Sequence, residues 1–256
     1  MRRWGIGVVT VAVVFLWAGC AKDEGGTGPS SPPNYFPLKV GNWWVYRGVE
    51  LDTAGLETGP EWRDSTVVVA QVTLQGRQGY VMVSHYSGGR SGSDTTVVAS
   101  EPGRLYIYVG DGEDGDGIPF LRGWVKYADY SASSWNIWDT TLTNVPLDSN
   151  LTTSGTFSWR GERGGTMAVT VKGRTVTAQE FRVVGSFSGK LYNQRIEIGT
   201  LSYTRVERLW VAENIGVVRG QLDPSELVIR SPLIPGGEMR QKEEGERTVL
   251  MDYFVQ

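Results

Sequence analysis

Along most of the chain, apolar and polar positions alternate with a period of two. Met167, Val169 and Val171 interleave with Thr166, Ala168 and Thr170, the pattern of a strand with one face buried. Runs rich in branched and aromatic residues, each bounded by Gly, Ser, Asp or Pro, repeat the theme. They predict strands over 43–51, 61–74, 79–86, 94–99, 104–109, 194–204, 206–211, 216–222 and 247–255. Beyond residue 20 no stretch sustains the 3.6-residue period of an amphipathic helix, and no repeat of fixed period is found. The pattern predicts an all-β chain: a mainly antiparallel wrapped sheet, a sandwich or an open barrel. Two stretches break the alternation. Ser131 to Ser154, mixing two tryptophans with Ser, Thr, Asn and Asp, is expected to be a long loop. Pro232 to Gly245 is expected to be a solvated loop with one helical turn.

The first twenty residues follow a different pattern. Arg2 and Arg3 precede an almost wholly apolar run, Trp4 to Trp17, and the small residues Ala18 and Gly19 lead to Cys20. A basic start, a short apolar run and small residues are the marks of a signal peptide. As a helix the run covers about 21 Å, less than the ~30 Å hydrocarbon core of a bilayer. Ala21 to Asn34 is rich in Gly, Ser and Pro and reads as a flexible tether. The organisation expected is a signal peptide over 1–19, a modified cysteine and tether over 20–34, and a single β-rich domain over 35–256.

Composition narrows the function. Without Arg2 and Arg3 the 25 basic side chains fall to 23 against 28 acidic ones, a formal charge of −5. No basic stripe is present for a nucleic acid. Cys20 is the chain's one cysteine, so the fold stands on its core rather than on disulfides. His85 is the one histidine and falls inside a strand-like run. No serine stands in a nucleophile elbow, and zinc would want several His or Cys ligands. Carboxylate pairs that meet only in space remain open; otherwise the inventory points away from an enzyme, and no cofactor is expected. Asp111, Glu113, Asp114 and Asp116 could gather oxygens around a cation. Their spacing fits no EF-hand register, and an acidic Asp-Gly hairpin tip between Tyr108 and Phe120 is expected instead of a metal site.

Eight tryptophans lie beyond residue 19. Those at 43, 62, 159 and 210 sit in strand-like runs and are expected in the core. Trp135 and Trp138, three apart in a polar segment, are the candidates for contact with a partner or ligand, as rigid aromatic anchors among adaptable polar groups.

The residues Leu16-Trp17-Ala18-Gly19-Cys20 resemble the lipobox of bacterial lipoproteins, although Trp17 stands where an aliphatic residue is usual. The resemblance implies cleavage before Cys20, a diacylglycerol on its sulfur, and acylation, by palmitate for example, of its amino group. Ala21 in place of Asp is similar to lipoproteins sent to the outer membrane, and Lys22-Asp23-Glu24 resembles the export tag of surface lipoproteins of Bacteroidota, though an ordinary charged linker has the same composition. Tyr35-Phe36-Pro37-Leu38, Gly41, Trp44 and Tyr46 resemble the "YFPL…G..W.Y" opening of a group of uncharacterised envelope lipoproteins. The run Arg208 to Arg219 and the stretch Val169 to Phe181 are similar to that group's later strands. These resemblances imply an outer-membrane, lipid-anchored protein, periplasmic or surface-facing, with the membrane as its first partner. Two functions fit. One is a non-catalytic structural or interaction module for an envelope protein or glycan. The other is a carrier that holds a lipid or other apolar ligand in the concave face of a curved sheet.

Overall fold

The computed structural model describes residues 33–110, 121–147 and 150–256. The expected signal peptide, Cys20, most of the expected tether and the acidic cluster Asp111, Glu113, Asp114 and Asp116 lie outside the described residues. Within them there are fourteen strands and no helix. In chain order these are β1 (Trp43–Leu51), β2 (Glu57–Leu74), β3 (Arg77–Gly88), β4 (Gly92–Glu101), β5 (Arg104–Val109), β6 (Gly123–Asp129) and β7 (Ser134–Pro146). There follow β8 (Leu151–Val171), β9 (Arg174–Asn193), β10 (Ile196–Ala212), β11 (Gly216–Leu222), β12 (Ser225–Arg230), β13 (Glu238–Glu243) and β14 (Gly245–Phe254).

All belong to one antiparallel sheet, ordered β6-β5-β4-β3-β2-β1-β14-β11-β10-β9-β8-β7, with β12 and β13 forming a flap on β10. The first and last strands of the chain pair in the middle of the order, Trp43 opposite Phe254. The two ends of the order, β6 and β7, are consecutive in sequence and meet across the turn between them. The indole N–H of Trp135 on β7 donates to the carbonyl of Tyr127 on β6 at 3.0 Å. The sheet thus curls into a nearly closed barrel. No β6–β7 ladder completes it among the described residues.

Period two dictates which side chains turn inward. Trp44, Tyr46, Val68, Met82, Val98, Leu105, Tyr127, Phe181, Val183, Leu209 and Val211 are buried in one cluster. Opposite them the outer wall is ionic. Glu180, only 8% exposed, accepts from Arg182 and Arg208, and Arg208 reaches on to Asp223 at 2.7 Å. Arg247 and Arg47 both hold Glu57.

One end of the barrel, here the near end, is closed. The tip of the β8–β9 hairpin bends at a register shift between Arg163 and Thr166. It brings Val171 and Ala178 into the core cluster, and Met167, Val169 and Val176 against it. The entry segment lies at the same end. Asn214, in the turn after β10, donates its backbone N–H to the Asn34 carbonyl at 2.9 Å. Phe36 stacks on Tyr130 with ring centroids 5.6 Å apart. Asn42, fully buried, donates to the Pro37 carbonyl and accepts from the Gln256 backbone N–H.

The structure corrects both expected loops. Ser131 to Ser154 is mostly strand: β7 and the start of β8, paired from Ser134 opposite Glu162 to Pro146 opposite Thr152. Polar Ser and Thr mark an outer face there, not a loop, and two register shifts blur the period. Pro232 to Gly245 holds no helical turn. It is a tight turn followed by β13, which pairs with β12 throughout. The expected break at Arg205 also differs, since β10 runs unbroken from Ile196 to Ala212, and β8 begins fifteen residues ahead of the alternation at Thr166.

Candidate functional site

The inner face changes character along the barrel axis. Towards the near end it is buried core. Midway it carries ionisable groups, and beyond them a band of aromatics that keep part of their surface in solvent. The register fixes this order. From Leu209 and Phe181 outward, β10 and β9 place Glu207 opposite Val183, Arg205 opposite Gly185 and Tyr203 opposite Phe187. The next strand continues it, with Trp159 opposite Gly185 and Phe157 opposite Phe187. Trp138 on β7 pairs with Trp159. Trp138, Phe157, Trp159, Phe187 and Tyr203 are all half-buried.

The polar belt has two parts. Tyr127, fully buried on β6, donates its hydroxyl to Glu207 Oε2 on β10 at 2.6 Å. This bond crosses the interior between strands on opposite walls. Burial pushes the Glu207 carboxyl up to about 7; the Tyr127 bond and the Arg205 charge pull it down, and Glu246 adds a little repulsion. Burial first and the Glu207 charge second push the Tyr127 phenol well above its ordinary value. On the other wall Asp64 accepts from Thr66 Oγ1 at 2.9 Å, and Thr66 shares a hydrogen bond with the buried Ser84 hydroxyl. Burial pushes Asp64 up to about 6, against the pull of those hydroxyls. Tyr86 donates to Asp94 at 2.9 Å.

Arg90, in the turn after β3, links the two parts. Its guanidinium lies 4.2 Å from the centre of the Trp62 ring and holds Glu246 at 2.7 Å. The indole of Trp62 lies over Gly48, directly across the ladder, where an added Cβ would come within 2.0 Å of it. Trp135 sits the same way over Gly161, with 1.9 Å left for a Cβ. In both pairs glycine is what lets a large ring lie flat along the inner wall.

The expected site residues divide. Trp135 is 6% exposed, packs edge-on against Phe181 and bonds to β6, so it closes the sheet and is removed as an exposed contact. Trp138 is half-buried on the aromatic band, tilted over Phe157 with centroids 5.6 Å apart. His85 is exposed on the outer face of β3. Among the described residues no three His, Cys, Asp or Glu side chains gather to hold a metal. Sequence reasoning missed Asp64 and Glu207. Their signal was a carboxylate at an inward position of a strand: Glu207 falls in phase with Leu209 and Val211, and Asp64 with Trp62, Thr66 and Val68.

No family model matches the chain, and no curated protein matches it. Two solved structures are similar in outline. A protein assigned as a lipoprotein from Parabacteroides distasonis shares 12% identity at a TM-score of 0.43, over 88% of this chain and 100% of that one. A protein assigned as exported, with a YmcC-like fold, from Bacteroides fragilis shares 13% identity at a TM-score of 0.38, over 86% and 98%.

Proposed function

We propose that the protein is a non-catalytic, lipid-anchored module of the bacterial cell envelope whose work is to bind an apolar molecule on the inner face of its barrel. The observation that carries this reading is the band of Trp138, Phe157, Trp159, Phe187 and Tyr203, which turns inward yet keeps surface in solvent. A concave, mostly apolar wall with a few placed polar groups is how small-molecule sites are built. Arg90, Arg205, Glu207 and Tyr86 would set the orientation of a ligand's polar end, while the aromatics cover its apolar part.

The anchor rests on Cys20 and the lipobox resemblance, and Ala21 after the cysteine supports an outer-membrane position. Two or three acyl chains, at about 0.8 kcal/mol per methylene, hold a protein where one chain would not. The non-catalytic part of the reading rests on what the inner carboxyls do. Glu207 ties β6 to β10, and Asp64 accepts from Thr66, which in turn bonds Ser84, so each already has a structural task.

Native mass spectrometry of the purified protein tests the binding role. A co-purified apolar adduct is expected, and Trp159→Ala with Phe187→Ala should deplete it. A clean apo mass, together with no uptake of added lipid, would favour a structural module that presents its loops to an envelope partner. Palmitate-analogue labelling against Cys20→Ala tests the anchor separately, and equal label in both proteins would sink it.

A further inference from the structure

The outer wall of β1, β2 and β14 is not uniform. Midway along it lie Arg47, Glu57, Glu61 and Arg247, joined in ion pairs. Towards the near end the same wall turns apolar. Trp43 stacks on Phe254 across the β1–β14 ladder, with ring centroids 6.5 Å apart, and lies opposite Val67 on β2. Around this pair Val40 is 46% exposed, Val69 45%, Phe254 45% and Met251 57%. The backbone N–H of Gly41 donates to the Val68 carbonyl, which seats Val40 beside that end of β2.

Charge around this patch runs against the rest of the molecule. The chain carries a formal −3. Beside the patch, Arg47, Arg63 and Lys172 line one cleft with Met251, Glu61 and Asp252, three cations against two acids, and Lys172 holds Asp252 at 2.6 Å; Lys39 adds a further cation next to Val40 in the chain. A tryptophan and a phenylalanine set among lysine and arginine are the composition of a surface that sits at a lipid headgroup layer.

The position of the patch completes the argument. The chain enters the barrel at this end, where Asn34 meets the turn after β10. Cys20 precedes Asn34 by fourteen residues, and a Gly/Ser/Pro-rich chain of that length, if it behaves as a random coil, would span about 20 Å end to end. An acylated Cys20 therefore keeps the near end close to its bilayer. Ile196, at the opposite end of β10, is roughly 55 Å further along the strand at about 3.3 Å per residue.

We propose that Val40, Trp43, Val69, Met251 and Phe254 form a membrane-contact surface that lays the near end of the barrel against an anionic bilayer. The proposal rests on the anchor at Cys20 and adds an orientation to it. The aromatic band of the inner face then opens away from the anchoring membrane, and the domain stands on the lipid instead of swinging from its tether.

The test uses the full acylated chain. Acylation consumes the Cys20 thiol, so one introduced cysteine can carry a polarity-sensitive fluorophore. Phe254→Cys and Val69→Cys report the patch, and Ile196→Cys the far end. Each labelled protein is reconstituted into vesicles of phosphatidylethanolamine and phosphatidylglycerol. The expected result is a blue-shifted emission, shielded from an aqueous quencher, at 254 and 69 and a water-like emission at 196. Water-like emission at all three positions in a protein whose intact mass carries the lipid would overturn the contact surface alone. An intact mass without lipid would overturn the anchor, and the orientation with it.

Discussion

Replacing Trp135 by alanine should open the barrel at its seam. The indole is buried, packs on Phe181 and supplies a hydrogen bond from β7 to the Tyr127 carbonyl of β6. Truncating a buried tryptophan costs about 3–5 kcal/mol, and a carbonyl left dry and unpaired adds about 1–3 kcal/mol. Trp138 offers the internal control. It is half-buried on the same strand and the same face, so it removes about half of a ~200 Å² ring from water, worth on the order of 2 kcal/mol at ~25 cal/mol per Å². Urea unfolding followed by far-ultraviolet circular dichroism avoids the loss of the fluorophore itself. With a slope of about 2–3 kcal/mol/M for a domain of this size, the summed cost of about 4–8 kcal/mol for Trp135→Ala should lower the midpoint by roughly 1.5–4 M, and Trp138→Ala should lower it by roughly 0.7–1 M. Trp135→Phe, which keeps much of the packing but loses the N–H and part of the ring, should fall between wild type and Trp135→Ala. A midpoint for Trp135→Ala at or above that of Trp138→Ala would refute the assignment of Trp135 as the closing residue.

Stability should decline as pH rises from about 4 to about 7. Asp64 and Glu207 have raised pKa values in the folded chain, so their contribution is full below the unfolded values and is lost as pH passes about 6 and about 7. For Asp64 the change is on the order of 3 kcal/mol, and Asp64→Asn or Glu207→Gln should flatten the decline in a pH series of melting temperatures. Gly161→Ala and Gly48→Ala should each destabilise by about 1–3 kcal/mol or more, since the new methyl meets an indole within 2.0 Å; a neutral thermal melt for either would contradict the flat seating of the rings. Arg208→Ala should cost roughly 1.5–3 kcal/mol, because Glu180 loses one of its two guanidinium partners in a nearly buried position, and Arg208→Lys should restore little of it in the same melt.

The strand pattern was legible wherever one face is wholly apolar. β5 and β11 keep the bounds expected for them, Arg104–Val109 and Gly216–Leu222, and β1 follows from its aromatics alone. The alternation failed on β7 and the first half of β8 for a physical reason. Their inner positions are Trp138, Phe157 and Gly155, their outer ones Thr and Ser, and the register shifts near Asn136 and Leu142 turn the period over twice. A half-wet inner wall does not need the Val and Ile that make a strand easy to recognise. The inner carboxyls were hidden for a related reason: a single acidic residue in phase with a core face looks like noise until a partner such as Tyr127, eighty residues away, is brought to it. That Trp135 would close the seam while Trp138 stayed partly wet depends on Gly161 lying opposite the first, which only the pairing reveals.

The placement of β1 beside β14 has a consequence for how the chain reaches this form. The sheet is two up-and-down meanders, β1 to β6 and β7 to β14, the second interrupted by the β12–β13 flap. They are sewn together where the first and last strands meet, Trp43 against Phe254. Nearly every other pairing joins neighbours in sequence, so that one seam holds most of the long-range contact order and should form last. A circular permutant that links the region of Gln256 to the entry segment and opens the chain at Ala132, in the turn between β6 and β7, would convert the seam into an ordinary hairpin. The permutant should fold faster than the natural connectivity, and its slowest step should move to the closure of Trp135 onto Tyr127, now the meeting of its two ends.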